Sequence, residues 1–437
     1  MKKIKKIVLF IVVLAFSLFA LTVIINLPVF DEKLLPEVVA IKNLKAKPYS
    51  ENNAHPALLA INNAGDDLLV STAQIRRILN QKIAETGLDF FDNEEYDRYI
   101  NSEIDKEWQH RYKSCNSRRE STCLTSLVEE LQDHPITDPR LQAQLKKYQQ
   151  LLMFSDFSDS VLLDFQAPII PYGAVMKLKR LHLALSYNEE AFHEFFNVID
   201  QDLQFWQMLL EKGHLMITKM VAIASVHDSI SAVSAAVRTK QLDQNQLMAL
   251  QNQWDVFSIS SLNMKAVFDA EFRAGINMFA EAEQSGEFRY LNLVDFFQLN
   301  ATHNLAYTLT AEVRNLAKLN AAEFYTLKDS ERFKNDAEHV FTLSPSSFYN
   351  PTGKMLLSYS ILPYTDYIAR IHDLNGMIHL LKLQIELAMY ADRPKKAVIA
   401  QSKYVNPYTL EAMNYNEETN SIYFECMDKT SDCELAL

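Results

Sequence analysis

Three groups of residues in this 437-residue chain have types and spacings that suit chemistry. The first is Lys219, His227 and Asp228, three ionisable residues inside the apolar stretch Leu215 to Val237. Buried polar groups must find partners, so these three are expected to form an internal network. Lys219 and His227 are eight residues apart, just over two helical turns and about 12 Å along the axis. They cannot touch, so a neighbouring helix or water has to bridge them. The second group is a polar face on one helix: Arg370, His372, Asp373, His379 and Glu386. Metal ligands usually converge at i, i+3 or i+4; the seven-residue step from His372 to His379 instead reads as a solvated stripe. The third group is the cysteines, in two local pairs, Cys115/Cys123 and Cys426/Cys433. Close, even pairing points to two short-loop disulfides, and neither pair has the C-x-x-C spacing of a metal site.

The motif search is otherwise empty. H-E-x-x-H, G-x-S-x-G and G-x-G-x-x-G do not occur. Gly353-Lys354 lacks the flanking residues of a phosphate loop and reads as a turn before a helix. His193-Glu194, with Glu189 and Glu190, reads as a charged helix start. The clusters Phe192/Phe195/Phe196 with Phe205/Trp206, Phe296-Phe297 and Tyr364/Tyr367 read as core. No cofactor and no metal are called for.

The elements that must position these residues begin with the N-terminus. Lys2, Lys3, Lys5 and Lys6 precede an uncharged apolar run from Ile7 to Ile25. A membrane-crossing helix needs roughly 20 apolar residues, and lysines stay on the cytoplasmic side. The expectation is an anchor over 7–27 that leaves everything after it outside the cytoplasm. A cleaved signal at Ala15-Phe16-Ser17 is the competing reading, opposed by the apolar run continuing to Ile25. The net charge is −12, or −16 without the four anchor lysines. An acidic body with no basic stripe argues against nucleic acid.

Eight glycines in 437 residues is far below the usual frequency of about 7%, so turn-rich β architectures are disfavoured. The predicted fold is mainly α: an irregular helical bundle or helical-hairpin array, with an N-terminal transmembrane helix and a small C-terminal β-hairpin. Helices are expected over Leu68 to Ile83, Glu94 to Lys113, Leu124 to Leu131 and after the Thr137-Asp138-Pro139 start signal. A break is expected at Gly213. Ile371, Leu374, Ile378, Leu381, Ile385 and Ala388 step by 3,4,3,4,3, the pattern of a bundle seam. The tail, Met413 to Tyr415 and Ser421 to Glu425 around turn residues 416–420, reads as a hairpin. The organisation expected is a cytoplasmic tail (1–6), the membrane helix (7–27), a periplasmic spacer (28–69), an N-terminal helical subdomain (70–167), a main helical body (168–395), and a hairpin with disulfide loop (396–437).

The anchor, Asn53-Ala54 to Asp67, the Cys115/Cys123 loop, Thr218-Lys219-Met220-Val221-Ala222 and Asn406-Pro407-Tyr408-Thr409 together give a layout that resembles uncharacterised membrane-anchored envelope proteins of Gram-negative bacteria. The resemblance covers much of the length and implies no activity, substrate or catalytic residue. The expected function is non-catalytic binding or scaffolding by a single-pass inner-membrane protein with a periplasmic body. Its partners would be the inner membrane, through 7–27, and an envelope protein. The alternatives are an envelope hydrolase acting on a polymer or peptide, and a membrane-tethered folding helper for an exported protein.

Overall fold

The computed structural model describes residues 2–44, 47–63, 67–85, 112, 117, 122–159, 168–187, 192–257, 264–285, 289–290, 294–327, 348–360, 364–429 and 431–437. Among them are sixteen α-helices and five short strands. The expected helix over Glu94 to Lys113 lies outside the described residues, Tyr112 apart.

Helix α1 (Lys2–Ile25) is the apolar N-terminal run, and its stretch Ile4–Ile25 has none of its residues buried. It is followed by α2 (Pro36–Lys42), α3 (Ala54–Ala60) and α4 (Leu68–Glu85). Next come α5 (Cys123–Asp133), α6 (Pro139–Leu151), α7 (Tyr172–Tyr187) and α8 (Phe192–Lys212). The start of α6 follows its sequence signal: the Asp138 carboxylate accepts from the Arg140 amide at 2.9 Å, with Pro139 in the first turn.

Helix α9 (Met216–Thr239) is the axis of the body. It packs against α7, α8 and the long α15 (Tyr364–Met389). Its apolar stretch is 78% buried inside the protein, and its serines and alanines let neighbouring backbones approach. The break between α8 and α9 falls at 213–215, as the glycine predicts. A Cβ at Gly213 would press against the Leu209 carbonyl at 2.6 Å and the Thr218 methyl at 2.8 Å.

Helices α10 (Gln244–Val256), α11 (Met264–Ser285), α12 (Leu299–Leu316), α13 (Ala321–Leu327), α14 (Pro351–Ser360) and α16 (Lys395–Gln401) complete the body, with the two-stranded β1 (Arg289–Tyr290) and β2 (Val294–Asp295). The tail differs from a simple hairpin. Strands β3 (Asn414–Asn416) and β4 (Ser421–Tyr423) pair as expected, with Tyr415 opposite Ile422. Strand β5 (Glu434–Ala436) then adds antiparallel to β4, with Leu435 opposite Ile422. Ile422 and Leu435 are buried, which is why the last residues pair with the hairpin.

Two expected boundaries are not marked by a separate core. One apolar cluster takes in residues from Tyr49 to Leu435 and crosses the expected border at 167/168. Within the stretch 28–69, expected as a spacer, the described helices α2 and α3 pack on other parts of the chain. Every residue of α3 is buried, and Val38 and Ile41 of α2 pack on Phe272 and Ile276 of α11. These apolar runs are too short to show a period, so only their tertiary contacts reveal them.

At Gly376, α15 comes close to Phe424, the residue that follows β4. A Cβ there would run into the Phe424 ring, which is itself buried. Gly376→Ala is therefore expected to cost about 1–3 kcal/mol by overpacking. Thermal unfolding of the full chain in detergent checks this, and a wild-type melting temperature would refute the close-packing argument.

Candidate functional site

Helix α15 carries two polar constellations on different faces. Of the stripe predicted as solvated, Asp373 is 2% exposed, while Arg370, His372, His379 and Glu386 are half-buried. The Asp373 carboxylate accepts from the Tyr408 hydroxyl at 2.5 Å and from the backbone amides of Met427 and Asp428 at 2.9 and 2.8 Å. Burial raises the pKa of Asp373 against the pull of these donors, and burial beside Asp373 pushes the Tyr408 phenol far up. Arg370 Nε reaches Asp428 at 2.8 Å. Together they hold the loop closed by the Cys426–Cys433 disulfide, whose Cα atoms are 5.6 Å apart. The two sulfurs beside Asp373 are bonded to each other and are not thiolate ligands. Cys123 is also disulfide-bonded; Cys115 lies outside the described residues. Glu386 has a separate partner, the Ser402 hydroxyl at 2.5 Å.

The other face, His372, Asn375, His379 and Lys382, borders a cleft of about 570 Å³. Phe257, Met264, Leu319, Ile368, Ile371 and Ile378 contribute apolar lining. Burial lowers the His372 pKa to about 4, so its ring is neutral at neutral pH. The ring lies 5.2 Å from that of Phe324, and Nε2 has no hydrogen-bond partner among the described residues. His379 Nδ1 donates to the Val405 carbonyl at 2.8 Å, which leaves Nε2 as an acceptor in the neutral ring. Lys382 is paired with Asp255 at 3.2 Å. Burial works against the Asp255 carboxylate, but Lys382 and Lys403 hold it below the usual range. From Ile368 to Lys382 the helix advances about 21 Å. The volume falls within the roughly 300–1,000 Å³ of ligand sites.

The first sequence group is distributed over three places. Lys219 is fully buried, and its ammonium donates to the Leu210 carbonyl and, at 3.1 Å, to that of Glu211. It thereby closes the C-terminal end of α8, whose last carbonyls lack helical partners. Burial lowers its pKa to about 8. Asp228 accepts from Arg180 Nε at 2.8 Å and from the Ser117 hydroxyl. His227, 3% exposed, lines a separate cavity of about 130 Å³ with Ser231, Ser234, Arg238 and Glu434. All three are buried, on one helix, with different neighbours.

No protein family, no curated protein and no solved structure matches this chain.

The sequence did not single out a buried polar cluster centred on Asp202. The Asp202 carboxylate of α8 receives the Tyr148 hydroxyl from α6 at 2.6 Å, the Ser229 hydroxyl from α9 at 3.1 Å, and the Lys179 ammonium from α7. Lys179 also donates to Ser229 at 2.9 Å, and Trp206 Nε1 donates to the Tyr148 hydroxyl at 3.1 Å. Lys179 and Asp202 have no exposed side-chain surface. Burial lowers the Lys179 pKa against Asp202. Burial, with Asp202 second, raises that of Tyr148 well above its ordinary value. Every polar atom here is turned to another, so the cluster ties four helices together and presents nothing to solvent. A second missed carboxylate, Asp159, accepts from the His214 amide and the Thr218 hydroxyl, both at 2.6 Å. With Glu271, which takes the Met216 amide at 2.7 Å, it caps α9, whose own N-cap residue is Leu215. Of the remaining early candidates, His193 is exposed at the start of α8, and Glu189 and Glu190 lie outside the described residues.

Proposed function

We propose that this chain is a single-pass membrane protein whose helical body lies outside the cytoplasm and binds an extended apolar segment of an envelope protein without catalysing a reaction. The observation that carries the placement is the contrast at residues 25 and 26. The apolar stretch of α1 has no burial against the body, whereas the next residue, Asn26, is 1% exposed. An apolar helix left bare by the protein needs lipid around it. The tie at Asn26 favours an uncleaved anchor over a signal that is removed, and the disulfide suits an oxidising compartment.

The cleft along α15 supports the binding part. Its span of about 21 Å matches about six extended residues at roughly 3.3 Å each. Its lining mixes apolar residues with polar ones that are neutral or already paired, which suits recognition rather than turnover: His372 is neutral and Asp255 is engaged by Lys382. A photoreactive amino acid at Asn375 in the full-length protein, in living cells, tests both parts. The expected result is one crosslinked envelope protein, with a C-terminal alkaline-phosphatase fusion active. Crosslinked glycan or lipid fragments would instead support an envelope hydrolase, and an inactive fusion would place the body in the cytoplasm and overturn the reading.

A further inference from the structure

We propose that the rim around the exit of α1 is a membrane-seating surface, in which Leu27, Val29, Phe30, Phe348 and Tyr349 lie in the headgroup–acyl boundary of the bilayer that α1 crosses. The inference rests on reading α1 as an uncleaved anchor and adds how the body is held against the lipid.

The rim is assembled from two distant parts of the chain. Asn26 Nδ2 donates to the Phe348 carbonyl at 2.7 Å, and the Asn350 amide donates back to Asn26 Oδ1 at 2.8 Å. Gln298 donates to the Asn26 carbonyl. Tyr349 donates its hydroxyl to the Phe30 carbonyl at 3.0 Å. Asp31 then accepts from the amides of Asn300 and Ala301 at 2.9 and 3.0 Å, capping α12. Asn304 receives the Leu35 amide at 2.9 Å and donates to Glu32. The chain therefore leaves α1 directly into a fixed joint, with no free linker.

Around this joint the protein exposes apolar side chains. Val29 is 80% exposed, Phe30 54%, Phe348 49% and Leu27 42%. The short helix Pro28–Phe30 has no buried residue. Such a group of apolar side chains at one place calls for a covering surface. The length of α1 says which. From Ile7 to Ile25 the helix rises about 27 Å, close to the roughly 30 Å of the hydrocarbon core. Asn26 then falls at the edge of the hydrocarbon, and the residues bound to it fall in the interfacial layer, where tyrosine side chains are favoured. The fixed joint prevents the body from lifting the rim into water, so the same bilayer is its occupant.

Spin labels on the full-length protein in vesicles of phosphatidylethanolamine and phosphatidylglycerol test this. Labels are placed at Val29→Cys and Phe348→Cys, with Leu14→Cys in α1 and the exposed Met153→Cys on the body as references. The expected ratio of oxygen to nickel-chelate collisions at both rim positions is several-fold above Met153 and below Leu14. A bilayer-core signal at Leu14 with rim values equal to Met153 would overturn the seating surface and leave the anchor intact. An aqueous signal at Leu14, or its loss from the mature protein, would overturn both.

Discussion

Asp202→Ala is expected to lower the unfolding free energy of the full-length protein by about 3–5 kcal/mol, the usual cost of leaving one member of a buried ion pair alone. The substitution strands the Lys179 ammonium where it has no exposed surface and removes the acceptor of Tyr148 and Ser229. The effect separates from simple cavity formation by a second variant. Lys179→Met with Asp202→Leu removes both charges and keeps apolar volume, and such replacements are often neutral or stabilising. The double variant should recover most of the loss. Urea unfolding followed by circular dichroism in detergent reads both. A loss below about 1 kcal/mol in Asp202→Ala, the scale of an ordinary hydrogen bond, would show that the four-helix tie does not hold the body.

Acid should weaken the protein by a comparable or larger amount. His55, His303 and His372 have pKa values lowered by burial from 6.5 to about 4. Above pH 6.5 each is neutral in both states and contributes no pH dependence. Below 6.5 the unfolded chain takes up protons first, so stability falls until about pH 4, where the folded state also protonates. A depression of about 2.5 units corresponds to about 3 kcal/mol per histidine at the full extent. Asp373 and Glu271, both raised by burial, act in the opposite direction and offset part of this near the acid end. Unfolding free energy measured from pH 7 to 4 should slope downward, and His303→Gln and His372→Gln should each flatten the slope. An unchanged slope in both variants would remove these histidines as the cause.

The sequence made the helices legible wherever the period was long. The 3,4,3,4,3 steps of α15 predict a seam, and Ile371, Leu374, Ile378, Leu381 and Ile385 are all buried. The Asp138-Pro139 start and the Gly213 break were legible because local chemistry sets them. The site was harder to read. Lys179 and Asp202 each lie two residues from another residue of the same charge, Lys177 and Asp200, and look like surface residues by type. A signal was present, since Asp202 falls in the stripe Phe195, Ile199, Trp206, Leu209, all buried. Its partners come from three other helices, and no local rule points to them. The polar face of α15 read as solvated for the same reason: the residues covering Asp373 are Tyr408, Met427 and Asp428, more than 30 positions away.

The joint at Asn26 also sets a timetable. Asn26 is made well before its partners, since Phe348 and Asn350 follow 322 and 324 residues later. At about 5–20 residues per second, the joint is completed roughly 15 to 60 s after the helix it holds. Throughout that interval α1 and the residues after it lack the partners that fix them, and the joint forms only once Asn350 has been made. The rigid attachment seen in the finished molecule is thus acquired long after the helix it fixes. A product truncated before Phe348 would lack this joint, leaving α1 unattached to the body, a ready distinction for proteases that clear incomplete chains.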